Sequence, residues 1–319
     1  MADDVRTLVT VPSPRLLTAL DGLEGIDGVV WDFGGPAPAE EIDLAVLPAG
    51  ARFAPELFEG VRIGLLQATT IGYDQIVELV PDGVPIANAA SVHEPAAAEL
   101  ALALTLAMQR DLPRRIRAAS AGWSPGYAPG LTDKHVVLLG YGGIGTLLER
   151  MLIPFGVQIS RIASRARMLA SGAVVHGAEA LDAVLPDADV VIIAVPLTAS
   201  TEHLVDRAFL ARLPDSALVV NIARGRIADT DAILEEAARG RLRFALDVTD
   251  PEPLPADHPL WALPNVLISS HAGGMTDALR PRLGQLIRDQ AARVASGRTP
   301  RNVVAGGPWR PRPPGVTMS

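Results

Sequence analysis

Short runs of β-branched and aliphatic residues alternate with longer stretches of helical period along the whole chain, the pattern of βα units and parallel sheets. In the first third these runs predict strands at Thr7–Val11, Val29–Phe33, Asp43–Leu47, Arg62–Ala68 and Pro85–Asn88. A long apolar helix is predicted from about Glu94 to Arg110, followed by a Gly/Pro/aromatic stretch over 122–130 that reads as a surface loop. A second series predicts strands at His135–Leu139, Gln158–Ile162, Val190–Val195, Leu218–Asn221, Phe244–Val248 and Val266–Ser269. Another long helix, about Thr276 to Ser296, leads into a Pro/Arg-rich tail expected to be extended. The simplest parse inserts one domain, 94–276, into a smaller one made of 1–93 and 277–319, with the two long helices as crossings.

Length agrees with that parse: 319 residues suit two domains of about 150 each. With 49% hydrophobic residues the chain has ample material for two cores. Absence of Cys excludes disulfides, thiolate metal sites and cysteine nucleophiles, and no metal-ligand cluster is expected. A net charge of −8 argues against a nucleic-acid partner, which needs a phosphate-neutralising face. All but one of the 28 basic residues are Arg, so Lys134 alone would have to carry any lysine chemistry, and its context supports none. The longest apolar run, Leu100 to Met108, is about half the roughly 20 residues that a membrane span needs. The start, Met-Ala-Asp-Asp, is acidic where a secretion signal is basic, so a cytoplasmic location is expected.

The first chemical signal follows the His135–Leu139 run. It ends in Gly140-Tyr-Gly142-Gly143-Ile144-Gly145, and a helical stretch begins at once. Between a strand and a helix this Gly-x-Gly-x-x-Gly has a mechanism. Gly140 makes the turn, Gly142 lets the backbone approach a pyrophosphate, and Gly145 packs helix on strand, with the anion at the positive end of the helix. The next strand should end in an acid if the ligand is NAD. Instead the sequence runs Ala163-Ser164-Arg165-Ala-Arg167, with no acid before Glu179. A hydroxyl and two guanidinium groups suit a 2′-phosphate, so NADP is the expected cofactor in preference to NAD.

Further motifs follow in order: Ala194-Val-Pro196 with Thr198 and Thr201; Asn221-Ile-Ala-Arg224-Gly225; Leu246-Asp247 with Glu252; and Ser270-His271-Ala-Gly-Gly274. Together with Thr70-Ile71-Gly72-Tyr73-Asp74, they resemble the D-isomer-specific 2-hydroxyacid dehydrogenases, the glyoxylate/hydroxypyruvate reductases among them, over about two-thirds of the chain. The resemblance implies two doubly wound parallel-sheet domains of the α/β class, a Rossmann-type dinucleotide domain inserted into a flavodoxin-like substrate domain, and a homodimer. It implies a catalytic set of Arg224, Glu252 and His271. His271 would exchange the proton, Glu252 would hold its other ring nitrogen, and Arg224 would grip the carboxylate of a 2-oxo acid. Ile71 and Gly72 match the turn whose N–H groups bind that carboxylate. Asp247 matches an acid that bonds the nicotinamide carboxamide, and Pro196 and Thr201 match positions around the adenosine and phosphates.

The expected activity is therefore interconversion of a small 2-oxo acid and its D-2-hydroxy acid by hydride transfer. One alternative is a phosphoglycerate-type dehydrogenase, which would want basic residues near the substrate turn; Ala68 to Asp74 contains none. The other is a nucleotide-sensing binding protein on the same fold, against which the intact Arg224, Glu252 and His271 argue.

Overall fold

The computed structural model describes residues 6–50, 53–118, 122–123 and 125–311. The acidic N-terminus, Ser124 of the 122–130 loop and the last residues of the tail, 312–319, lie outside the described residues. The chain divides into two compact units, Met1–His93 with Thr276–Ser319, and Glu94–Met275.

The first unit contributes β1 (Thr7–Val11), β2 (Ile26–Val30), β3 (Glu41–Ile42), β4 (Leu44–Val46), β5 (Arg62–Ile63), β6 (Leu66–Gln67) and β7 (Ile86–Ala87). The second contributes β8 (His135–Leu139), β9 (Gln158–Ile162), β10 (Arg167–Met168), β11 (Val174–Val175), β12 (Val190–Ile193), β13 (Leu218–Asn221), β14 (Arg243–Leu246) and β15 (Val266–Ile268). The chain then returns to the first unit through the helix Leu279–Ala295 and β16 (Val303–Ala305).

The sheet of the first unit has the order β16-β7-β6-β4-β1-β2. All its pairings are parallel except β16 on β7. Omitting the small β3–β5 pair, the parallel part is the flavodoxin-like order 2-1-3-4-5. Both faces are covered. The helix Leu279–Ala295 packs Leu283, Leu286 and Ile287 against Val9, Val11 and Leu44 on one face. On the other, Trp31, Phe33, Phe53 and Phe58 cluster with Ala45 and Leu66.

Three details depart from the sequence reading. The strand predicted over Val29–Phe33 lies at Ile26–Val30, where each residue pairs with β1. Gly28 looks like turn material, but the helix Pro14–Leu17 packs over it: a Cβ there would stand 2.7 Å from Leu17 Cδ1. The run Arg62–Ala68 is broken at Gly64, where the chain stops pairing with β3 and starts pairing with β4. The tail is not merely extended, since Val303–Ala305 adds an antiparallel edge strand.

In the second unit the sheet is wholly parallel, in the order β15-β14-β13-β12-β8-β9. Beyond β9, His176 forms a parallel bridge to Ile162, so the end of the short β10–β11 hairpin fills the place of a further strand. This is the 3-2-1-4-5-6 dinucleotide-binding order with a shrunken third strand and a seventh, β15, added beside the sixth. Strands β8, β12 and β13 are buried on both faces, which is why they read as apolar runs, whereas the edge strand β9 carries Gln158, Ser160 and Arg161. Val137 and Leu139 enter one core with Val191 and Ile193, while Val136 and Leu138 enter the other with Val190 and Ile192. The helix Glu94–Gln109 supplies Ala98, Ala101, Leu104 and Met108 to the second of these.

Candidate active site

The phosphate turn joins β8 to the helix Gly143–Leu152. Gly140 sits at φ +111°, and a Cβ there would meet the Ala194 carbonyl carbon at 2.5 Å, so only glycine fits. A Cβ on Gly145 would collide with the carbonyl oxygen of Gly140. Gly142 differs: nothing lies within 4 Å of the place its Cβ would take. It is the N-cap of the helix and, lacking a side chain, leaves the first-turn N–H groups uncapped. Open space in front of free N–H groups at the positive end of a helix is what a pyrophosphate requires.

Ser164, Arg165 and Arg167 follow the end of β9 and are exposed. Arg167 lies in β10, a strand that the sequence pattern does not predict, and its Nη2 donates to the Tyr141 carbonyl at 2.6 Å. Pro196 and Thr201 belong to the loop after β12, which Thr201 folds on itself by donating from Oγ1 to the Pro196 carbonyl at 2.7 Å.

Three neighbouring strands, β13, β14 and β15, lead into the loops that carry Arg224, Glu252 and His271. Asn221, Leu246 and Ile268 are aligned across these strands, so the following loops leave the sheet side by side at its carboxyl edge. Arg224 is half-buried in the first loop and donates from Nη1 to the Ala223 carbonyl at 2.8 Å. The loop is braced by Asn221, which donates to the Arg224 carbonyl at 3.0 Å and accepts from the Ala223 N–H at 3.0 Å. Glu252 lies in the second loop, between two cis X–Pro bonds. His271 lies in the third, and its Nδ1 stands 2.5 Å from Glu252 Oε1. With Nδ1–H donated to the carboxylate, Nε2 is the ring nitrogen left to exchange a proton.

Ser270 and His271 both have left-handed backbone, φ +55° and +56°. Such strain at successive non-glycine residues persists only where the surroundings enforce it. Asp247, 2% exposed, does so. Its Oδ1 accepts from Ser269 Oγ at 2.6 Å and Ala272 N at 2.7 Å, and its Oδ2 accepts from Gly273 N at 3.0 Å. Sequence reasoning assigned Asp247 to the cofactor; in the structure its oxygens organise the turn that carries His271.

Ile71 and Gly72 belong to the other unit. Thr70 Oγ1 donates to the Gly72 carbonyl at 2.7 Å, and Asn88 Nδ2 to the Ile71 carbonyl at 2.9 Å. His93 Nε2 donates to the Thr69 carbonyl at 2.7 Å. With the carbonyls thus held, the Ile71 and Gly72 N–H groups take no backbone partner among the described residues.

Sequence reasoning passed over Asn88, and also the group behind the phosphate turn. Tyr141 donates its hydroxyl to Glu149, which also pairs with Arg161. Hydrogen bonding from Arg161 holds the Glu149 carboxyl below the usual carboxylate range, and burial pushes the Tyr141 phenol up. The one signal was an aromatic residue inside the glycine turn, too little to suggest a carboxylate eight residues further on.

A Rossmann domain with an open phosphate turn and a paired histidine at the carboxyl edge of its sheet defines a nicotinamide-dependent oxidoreductase. Residues 102–273 match the model of the D-isomer specific 2-hydroxyacid dehydrogenase, NAD binding domain. A human glyoxylate reductase/hydroxypyruvate reductase is 31% identical over 287 residues, 80% of this chain and 84% of the relative. Among solved structures, a D-isomer specific 2-hydroxyacid dehydrogenase from Xanthobacter autotrophicus, in complex with NADPH, superposes with a TM-score of 0.81 at 25% identity, covering 94% of this chain and 98% of that one. An NADPH-dependent glyoxylate/hydroxypyruvate reductase from Sinorhizobium meliloti superposes with a TM-score of 0.79 at 26% identity and the same coverage. The chain belongs to the D-isomer-specific 2-hydroxyacid dehydrogenases. It is an NAD(P)-dependent enzyme that interconverts a 2-oxo acid and its D-2-hydroxy acid. Among the described residues no helix is long and apolar enough to cross a membrane.

Proposed function

We propose that this enzyme reduces a small 2-oxo acid of the glyoxylate or hydroxypyruvate type, with NADPH as the preferred donor. The observation that carries the reading is the His271–Glu252 pair, on a loop adjacent to that of Arg224 along the carboxyl edge of the sheet. The substrate type is supported by the relatives of that name and by a substrate turn, 68–74, without the basic residues a phosphorylated acid would need.

The bound nicotinamide supplies the hydride to the carbonyl carbon. Arg224 binds the substrate carboxylate through its planar fork and withdraws electron density from the carbonyl. In the other unit, the Ile71 and Gly72 N–H groups are donors suited to a carboxylate. His271 gives the proton on Nε2 to the carbonyl oxygen as that oxygen gains charge, and ends as neutral imidazole. In the oxidative direction it takes the proton back. Glu252 keeps Nδ1 protonated throughout, so only Nε2 cycles.

Toward the cofactor, the Gly142, Gly143, Ile144 and Gly145 N–H groups receive the pyrophosphate, and the Pro196–Thr201 loop borders it. Ser164, Arg165 and Arg167 receive the 2′-phosphate. A carboxylate offers about four acceptor sites. Three of those on Asp247 are taken, and the fourth is available for the carboxamide.

We assign a homodimer on the exposed apolar residues of one segment, Leu112, Ile116, Trp123 and Tyr127, the last two almost fully exposed. A cytoplasmic location suits an enzyme whose cofactor must be re-reduced by others. The deciding experiment assays a panel of 2-oxo acids with both reduced cofactors, in the native enzyme and in His271→Ala. The substitution is expected to lower kcat by about 10²–10⁴, the scale of a positioned acid–base group, with NADPH affinity unchanged. Near-native turnover in the variant removes His271 from the mechanism.

A further inference from the structure

Three arginines cluster where β9 ends, and the structure gives them different situations. Arg161 is half-buried and donates Nε to Glu149 at 2.9 Å, with Nη2 on the other carboxylate oxygen, so its charge is matched. Arg165 is exposed, and its guanidinium has no ion-pair partner among the described residues. Arg167 also has no carboxylate partner among them, yet it is held. Nη2 bonds the Tyr141 carbonyl at 2.6 Å, Nη1 reaches the Arg165 carbonyl at 3.4 Å, and Cζ lies 5.7 Å from the centre of the Tyr141 ring. That last distance is within cation–π range.

Tyr141 is itself fixed on every side. Only 6% exposed, it stands between Gly140 and Gly142 of the phosphate turn. Gly140 N donates to the Ile162 carbonyl at 2.9 Å, which ties the turn to the end of β9. The Tyr141 hydroxyl donates to Glu149, and Arg161 Cζ lies 5.9 Å from its ring centre. One aromatic side chain therefore connects the phosphate turn, a half-buried ion pair and a guanidinium whose charge is unmatched. A cation already held in place loses less freedom on gripping an anion than one waving in solvent.

We propose that Tyr141 is a positioning residue for cofactor specificity: its ring and carbonyl hold Arg167 at the edge of the phosphate turn, ready for the 2′-phosphate of NADP(H). Glu149 serves the same end twice, anchoring the Tyr141 hydroxyl and cancelling the charge of Arg161. The inference rests on the NADP(H) preference proposed above, and it assigns the stationary part of that preference to Arg167 and the mobile part to Arg165.

The test measures dissociation constants for NADPH and NADH by cofactor fluorescence in the intact enzyme, so no turnover is needed. Arg167→Ala should weaken NADPH by about tenfold or more while NADH changes less than about twofold. Tyr141→Leu should weaken NADPH by about two- to tenfold, the range of a cation–π contact, again sparing NADH. Tyr141→Phe keeps ring and carbonyl and should stay within about twofold of native. In the double variant Tyr141→Leu/Arg167→Ala, NADPH should bind within about twofold of Arg167→Ala alone, because both changes remove one interaction. If the Leu variant does not fold, Tyr141→Met removes the ring with an unbranched chain. A native NADPH/NADH ratio in the ring-less variant, beside a lowered ratio in Arg167→Ala, overturns the positioning role and leaves the NADP(H) reading standing. An unchanged ratio in Arg167→Ala overturns both the role and the share of Arg167 in that reading. Multiplying effects in the double variant, or a Phe variant as weak as Leu, overturns the positioning role as well.

Discussion

Glu252 Oε1 lies 2.5 Å from Nδ1 of His271, and the two residues come from loops that follow adjacent parallel strands. Neither element alone could set that distance. It follows from the β14–β15 pairing, which puts the two loops side by side, and from Asp247, whose three hydrogen bonds fix the turn at His271.

Glu252→Gln keeps the shape and removes the charge. The carboxylate stabilises the imidazolium, the form that gives its proton during reduction. Without it, the ring loses the charge that faces Nδ1, so kcat for reduction should fall by about tenfold or more, with thermal stability little changed. A native kcat in the variant would disconnect Glu252 from His271.

Arg224→Lys tests geometry instead of charge. An ammonium cannot match the two oxygens of a carboxylate as a planar fork does. Loss of a charge-assisted bond worth about 1.5–3 kcal/mol should lower kcat/KM for the 2-oxo acid by roughly 10- to 150-fold. The dissociation constant of NADPH should not move. Native values in steady-state kinetics would take Arg224 out of the substrate site.

Much of this was legible in the chain. Strands buried on both faces give continuous apolar runs, so β8 and β13 stand where the pattern alone puts them, and the edge strand β9 does so despite Gln158, Ser160 and Arg161. Other edge elements were not legible. β2 contains Asp27 and Gly28 because it pairs on one side only, while β10, β11 and β16 are two or three residues long and owe their pairing to neighbours. The candidate site divides the same way. Arg224, Glu252 and His271 stand out as candidates by residue type inside motifs. The contacts of Asp247, Asn88 and Tyr141 are hydrogen bonds across sequence gaps, to which no local pattern points.

Acid should weaken the dinucleotide unit through Glu149. Its bond with Arg161 holds its carboxyl below the ordinary range. A carboxylate lowered on folding stabilises fully above its unfolded pKa of about 4.3, and that contribution is lost as the pH falls through the lower folded value. Thermal melts of the native enzyme should fall over that acid window, and Glu149→Gln should flatten part of the fall while lowering Tm at neutral pH. Parallel native and variant curves from pH 7 into acid would deny Glu149 this role.

Cofactor choice is expected to be set where β9 ends. Ala163 offers nothing to the ribose hydroxyls, so NAD lacks the acid that usually selects it. Arg165 is exposed, without a carboxylate partner among the described residues, and can close on a 2′-phosphate beside the tethered Arg167. Charge-assisted bonds are each worth about 1.5–3 kcal/mol when well formed. Two of them, reduced for solvent exposure, give roughly 10- to 1,000-fold preference for NADPH at about 1.4 kcal/mol per decade. Added salt should shrink the preference, because the contacts are electrostatic and lie at the surface. Arg165→Ala should raise KM for NADPH, leave KM for NADH nearly unchanged, and reduce the salt dependence of the ratio. Equal or better kcat/KM with NADH in the native enzyme would leave Arg165 as a solvated surface charge and end the case for NADPH.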